Sequence, residues 1–214
     1  MTGGVLWDLD GTLVDSEEYH WQSWRDTMRG DGVVISHDQF LASFGLRNDR
    51  ILTAWLGDVA ADRIQRLGDA KEAEYRRLAQ THGLAPLPGA AEWLARLHDK
   101  GWRQAIASSA PRENVDVMLA VLGLAKYFDA IVSAEDVTAG KPDPQVFLAA
   151  AFRLHLSPSR CVVVEDAPAG IEGARRAGMP SVGVSRAVTL PADVFVRSLA
   201  DLGPSAFESL LPHP

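Results

Sequence analysis

Between residues 90 and 184 the sequence keeps repeating one unit: a helix-length amphipathic stretch, then a short apolar run. Ala90 to Lys100 reads as a helix closed by Gly101, followed by the strand-like run Gln104-Ala105-Ile106-Ala107 that leads into Ser108. Glu113 to Leu122 reads as a helix before the strand Ala130-Ile131-Val132, and Gln145 to Leu154 as a helix before Cys161-Val162-Val163-Val164. Ala169 to Ala177 closes at Gly178 and Pro180, ahead of Ser181-Val182-Gly183-Val184, which reads as the last strand. Apolar runs separated by whole helices rather than by tight turns pair in parallel through right-handed crossovers. Their all-apolar character requires cover on both faces.

A fifth run, Gly4-Val5-Leu6-Trp7, stands far upstream of the others. The segment between it and Ala90 holds four helical patterns and no strand. The first runs from Glu17 to Arg29 with Trp21, Trp24 and Met28 at helical spacing. Ser36-His37-Asp38-Gln39 reads as a capping box opening a helix through Phe40, Leu41 and Phe44. Ile51, Leu52, Trp55 and Leu56 form a third stripe and Ile64 to Leu78 a fourth, before Pro86 and Pro88-Gly89 punctuate the chain. The expected fold is therefore α/β, a Rossmann-like parallel sheet core with helices on both faces and an inserted all-helical cap. Residues 1–15 and 85–214 form the core in this reading and residues 16–84 the cap.

In open parallel sheets ligands sit beyond the carboxyl ends of the strands, and that rule gathers the polar residues. Asp8 and Asp10 follow the first strand two residues apart, so period-two alternation sends both carboxylates to one side of the Gly11 turn. Two such acids do not both ionise cheaply without a cation or a shared proton. That divides them between an ionised nucleophile or metal ligand and a protonatable acid or base. Ser108 and the pair Glu165-Asp166 end other strands, and Lys141 lies on a strand-to-helix loop at the same rim. Carboxylates converging without a Cys/His cluster call for a hard divalent cation, Mg²⁺ rather than zinc, while a hydroxyl and an ammonium suit phosphoryl oxygens. Taken singly, each has a plainer role: a solvated Asp-Gly turn, a helix cap at Ser108, a surface lysine, a helix-dipole pair. Their joint placement favours chemistry.

The net charge of −7, with no long Lys/Arg block, argues against nucleic acid but leaves a phosphorylated small molecule possible. No apolar stretch approaches the roughly 20 residues of a membrane helix, so no membrane partner is expected. The one cysteine, Cys161, opens a strand and suits a reducing compartment. No basic n-region or apolar h-region precedes Asp8, and the expectation is a cytoplasmic protein, for which a monomer is compatible.

The runs Asp8 to Ser16 (DLDGTLVDS), Ser108 after Ile106-Ala107, Lys141 in Gly140-Lys141-Pro142-Asp143-Pro144, and Val162 to Gly178 (VVVEDAPAGIEGARRAG) occur in that order. They resemble the four motifs of the haloacid dehalogenase superfamily of phosphohydrolases, within it the subgroup of β-phosphoglucomutases and sugar-phosphate phosphatases. The resemblance covers essentially the whole chain. It implies Asp8 as the nucleophile that takes the phosphoryl group as an aspartyl-phosphate, and Asp10 as general acid/base lending its backbone carbonyl to Mg²⁺. It further implies Ser108 and Lys141 on the phosphoryl oxygens, and Asp166 on the metal with Glu165 close by. True dehalogenases lack the second aspartate, which Asp10 supplies here.

In the cap, His20 and Trp24 resemble a hinge-side His and Trp of the mutases, and Lys71 in Lys71-Glu72-Ala73-Glu74-Tyr75 a substrate-contacting lysine. Asn48 occupies the place of the mutases' phosphate-gripping arginine, with Arg47 beside it expected to contact the untransferred part of the substrate as Lys71 does, and Arg112 resembles a substrate-side arginine of some phosphatases. Gly11-Thr12-Leu13-Val14 likewise follows the phosphatase pattern. The resemblance thus implies a Mg²⁺-dependent phosphatase acting on a small phosphorylated metabolite, a sugar or polyol phosphate. The alternatives are a β-phosphoglucomutase-type mutase and a non-catalytic regulatory homologue.

Overall fold

A computed structural model describes residues 3–212. Six strands form one sheet, β1 (Gly4–Trp7), β2 (Arg103–Ala107), β3 (Ala130–Val132), β4 (Cys161–Glu165), β5 (Ser181–Val184) and β6 (Val194–Val196). All pair in parallel in the order β3-β2-β1-β4-β5-β6. The central β1 sits in register with both neighbours, Leu6 opposite Ala105 on one side and Val163 on the other.

Alternation along the strands sorts the core into two layers. Val5, Trp7, Ile106, Val162 and Val164 face helices α5 (Ala90–Asp99) and α6 (Arg112–Leu122). Leu6, Ala105, Ala107, Cys161 and Val163 face α7 (Gln145–Arg153) and α8 (Pro168–Arg176). Every β1 residue is buried, as a strand covered on both faces must be.

β6 lies beyond the strand that the sequence reading takes as last. Its three half-buried residues follow a helix-free connection after Val184, so the alternation that marks the other strands is missing there.

Between β1 and α5 the chain forms α1 (Glu17–Gly30), α2 (His37–Leu41), α3 (Asn48–Leu56) and α4 (Ala61–His82). These four helices share a separate apolar cluster built on Trp24, Met28, Phe40, Ile51, Leu52 and Leu67. Ser36 and Gln39 form the expected reciprocal cap at 3.1 and 2.9 Å, although α2 ends at Leu41 and Phe44 lies in the turn that follows. The chain leaves and re-enters the α/β part side by side: Val14 bridges Pro86, and the Leu87 N–H donates to the Leu13 carbonyl at 2.9 Å.

Candidate active site

Asp8 follows β1 directly, its N–H donating to the Val164 carbonyl at 2.9 Å, and Ser108 follows β2 with its N–H on Val132. The carboxylates of Asp8, Glu165 and Asp166 each bring one oxygen within 4.8 Å of the others. Lys141 Nζ donates to Asp8 Oδ1 and Glu165 Oε1, both at 2.5 Å. Burial alone would lower the Lys141 ammonium, but the Asp8 and Glu165 charges outweigh it and raise it.

Burial pushes the Asp8 carboxyl up to about 8, with the Glu165 charge adding and Lys141 opposing. Asp166 is raised for the same reasons, burial first and then the charges of Asp8 and Glu165. Three crowded acids served by one ammonium are short of positive charge, which is what a divalent cation supplies. The donor set is all oxygen, as Mg²⁺ prefers. Gly11 leaves room for Asp166: at φ +77° a Cβ there would stand 2.0 Å from Asp166 Oδ2. Glu165 is committed differently, because its Oε2 accepts from the Asp166 and Ala167 N–H groups at 3.0 and 3.1 Å while Oε1 holds Lys141.

Asp10 faces another set of partners. Ser16 Oγ donates to its Oδ1 at 2.5 Å and His20 Nε2 lies 3.0 Å from the same oxygen. Lys71 Nζ, paired with Glu72 Oε1 at 2.9 Å, sits 2.8 Å from His20 Nδ1. An ammonium only donates, so Nδ1 accepts, and the ring proton lies on Nε2 and points at Asp10. Burial would raise the Asp10 carboxyl, but His20 and Ser16 outweigh it and hold it below the usual carboxylate range. The imidazole is itself fixed, stacked on Tyr75 at 4.1 Å and met edge-on by Phe44 at 5.7 Å.

Lys71, buried among Trp24, Tyr75 and Glu72, continues this chain toward α6. Glu72 accepts from Asn48 Nδ2 at 2.7 Å and from Asn114 Nδ2 at 2.5 Å, and Asn114 Oδ1 accepts from Arg76 at 2.8 Å. Burial would raise the Glu72 carboxyl; Lys71, His20 and Asn48 together bring it down. Asp8, Asp10, His20, Asn48, Lys71, Glu72, Lys141, Glu165 and Asp166 border one cleft between the helical segment and the sheet's carboxyl edge, lined also by Ser108, Ser109 and Leu46, while Ser16, Tyr75 and Asn114 stand behind it. The cavity within it is about 60 Å³.

Two expected site residues lie elsewhere. Arg47 does not line the cleft; its Nη1 donates to the Ala134 and Val137 carbonyls at 3.2 and 3.4 Å, and its Nε faces Asp49 at 3.5 Å. Its neighbours Leu46 and Asn48 take the cleft side instead, since adjacent residues at a helix start diverge in direction. Arg112 is exposed as the first residue of α6 and pairs one turn on with Asp116 at 2.9 Å. The Asp10 carboxylate stands apart from the Asp8, Glu165, Asp166 cluster, held by Ser16 and His20, as a group expected to act through its backbone carbonyl on the metal leaves it free to do.

A sequence profile of haloacid dehalogenase-like hydrolases matches residues 5–184, a span that contains every residue of this cleft. The chain belongs to this family. The hydrolase is 33% identical over 211 residues to the validoxylamine A 7'-phosphate phosphatase of Streptomyces hygroscopicus subsp. limoneus, covering 94% of this chain and 98% of that one. It is 33% identical over 208 residues to the β-phosphoglucomutase of Bacillus subtilis, covering 92% and 90%. CbbY from Rhodobacter sphaeroides, solved in complex with phosphate, shares its structure with a TM-score of 0.88 at 25% identity, covering 97% of this chain and 100% of that one.

Sequence reasoning did not find Ser16, Glu72, Tyr75, Ser109 or Asn114 in the hydrolase's cleft region. Ser16 carried a signal: it stands at the N-cap of α1, yet its hydroxyl donates to Asp10 instead of accepting from the helix.

Proposed function

We propose that the protein is a cytoplasmic, Mg²⁺-dependent phosphatase that hydrolyses a small sugar or polyol phosphate through an aspartyl-phosphate at Asp8. The observation that carries this reading is the strand-end Asp8, held 2.5 Å from Lys141 and beside Asp166, with a second carboxylate two residues on in a separate bonding network. Residues 16–84 serve as the cap and the remainder as the catalytic core.

In the first half-reaction an Asp8 oxygen attacks phosphorus in line with the leaving oxygen, which takes a proton from Asp10. In the second, Asp10 takes a proton from water as that water attacks the aspartyl-phosphate, releasing phosphate and restoring Asp8. Ser16 and His20 favour ionised Asp10 in the arrangement described, the form that accepts the water proton. The third Lys141 N–H, beyond those used on Asp8 and Glu165, and the Ser108 hydroxyl are donors for the phosphoryl oxygens. Asp8 and Asp166 would hold the cation, with Glu165 behind them orienting Lys141. When bound, Mg²⁺ supplies charge neutralisation between these acids and the phosphoryl group.

A phosphomutase is the second reading, favoured by the similarity to the Bacillus subtilis β-phosphoglucomutase. It needs a cationic grip on a second phosphate, and Arg47 is turned onto main-chain carbonyls outside the cleft. Incubation with Mg²⁺, β-glucose 1-phosphate and a trace of glucose 1,6-bisphosphate separates the two. Inorganic phosphate released from this or another metabolite without isomerisation supports the phosphatase. Rapid glucose 6-phosphate with negligible inorganic phosphate overturns it.

A further inference from the structure

The cleft is poor in positive charge at the end away from Asp8. Five carboxylates line it, from Asp8, Asp10, Glu72, Glu165 and Asp166, against two ammonium groups, Lys71 and Lys141. Lys141 is committed to Asp8 and Glu165, the end where phosphoryl transfer occurs. Among the lining residues contributed by α1–α4 and their connections, Lys71 is the sole lysine or arginine, and Glu72 meets it at 2.9 Å.

Glu72 does not reach this position by chance of rotamer. Asn48 and Asn114 bind its two oxygens from α3 and α6, so the carboxylate is fixed beside Lys71 from both sides of the cleft. Lys71 spends its other contacts on His20 Nδ1 and on the faces of Trp24 and Tyr75, each 5.4 Å from Nζ. What remains to meet the rest of a substrate is neutral: the Asn48 amide and the Ser109 hydroxyl among apolar groups. These suit hydroxyls, and they do not compensate a second dianion.

Resting on the phosphatase reading, we propose that Glu72 is a specificity-determining residue. By cancelling the Lys71 charge it restricts the cleft to phosphate monoesters whose far end is uncharged and hydroxylated, and it excludes bisphosphates. Glu72 acts through Lys71 and is a positioning residue.

The test uses the whole chain with Mg²⁺ and follows hydrolysis of p-nitrophenyl phosphate, with fructose 1-phosphate and fructose 1,6-bisphosphate as competitors, in the wild type and in Glu72→Gln. One unit charge about 6 Å from a phosphate dianion is worth about tenfold even with water-like screening. The wild type should bind the bisphosphate at least tenfold more weakly than the monophosphate. In Glu72→Gln, which leaves Lys71 uncompensated, that gap should shrink about tenfold, a selective change that loss of packing would not produce. Equal or stronger competition by the bisphosphate in the wild type overturns the inference whether or not the variant folds, as does an unchanged gap in a folded variant. Failure to hydrolyse the aryl phosphate at all refutes instead the phosphatase reading beneath it.

Discussion

Asn114 joins α6 of the sheet core to α4 of the helical segment, and replacing it with alanine tests whether that seam closes the cleft. Two bonds are lost together, the 2.5 Å donation to Glu72 and the 2.8 Å acceptance from Arg76. Hydrogen bonds to charged groups contribute about 1.5–3 kcal/mol each. Water replaces part of that when α4 moves away, leaving about 2 kcal/mol as the loss specific to the closed arrangement. If this seam closes over bound substrate, the affinity gained on closing falls by the same amount, about 30-fold in KM. The assay is steady-state phosphate release from the best substrate of a metabolite screen, beside p-nitrophenyl phosphate. KM for the metabolite should rise far more than kcat falls, and the aryl ester should be less affected. A change in KM below twofold, with the thermal midpoint held, would refute the view that this seam governs closure.

Asp8→Asn removes the proposed nucleophile while keeping its shape, so phosphate release should drop to background with the circular dichroism unchanged; substantial residual turnover would exclude the aspartyl-phosphate. Chelation by EDTA should abolish activity and Mg²⁺ restore it, and Asp166→Ala should weaken metal affinity and turnover together, as titration calorimetry and rates would register. Asp136 bears on stability rather than catalysis. The bond from Arg153 holds its carboxyl down to about 2, so its contribution is present above the ordinary carboxylate range and fades as pH falls toward 2. Arg153→Ala should therefore cost about 1 kcal/mol at neutral pH, after screening at this part-exposed pair, and less near pH 2, as urea titrations at both would show.

The sheet and its acidic rim were legible because both depend on short-range rules. Period-two alternation puts Asp8 and Asp10 on one side, and the carboxyl-end rule then brings Glu165-Asp166 and Lys141 to them. β6 escaped because no helix announces it. Arg47 and Arg112 were misplaced for a different reason: motif spacing locates a backbone position but not the direction its side chain takes at the first turn of a helix. Glu72 was unreadable, since a Lys-Glu pair on a charged helix looks solvated. Its burial depends on Asn48 and Asn114, 24 and 42 residues away along the chain.

The bridge between Val14 and Pro86 also bears on how such a chain diversifies. Because the helical segment departs from and returns to adjacent points, its length and internal arrangement impose no change in register on the strands beneath. A lineage can therefore lengthen, shorten or exchange that segment wholesale while the sheet keeps its acids in place. Under the proposed reading, selection for a new metabolite acts on one graft with two neighbouring sutures, and the reaction stays with the sheet.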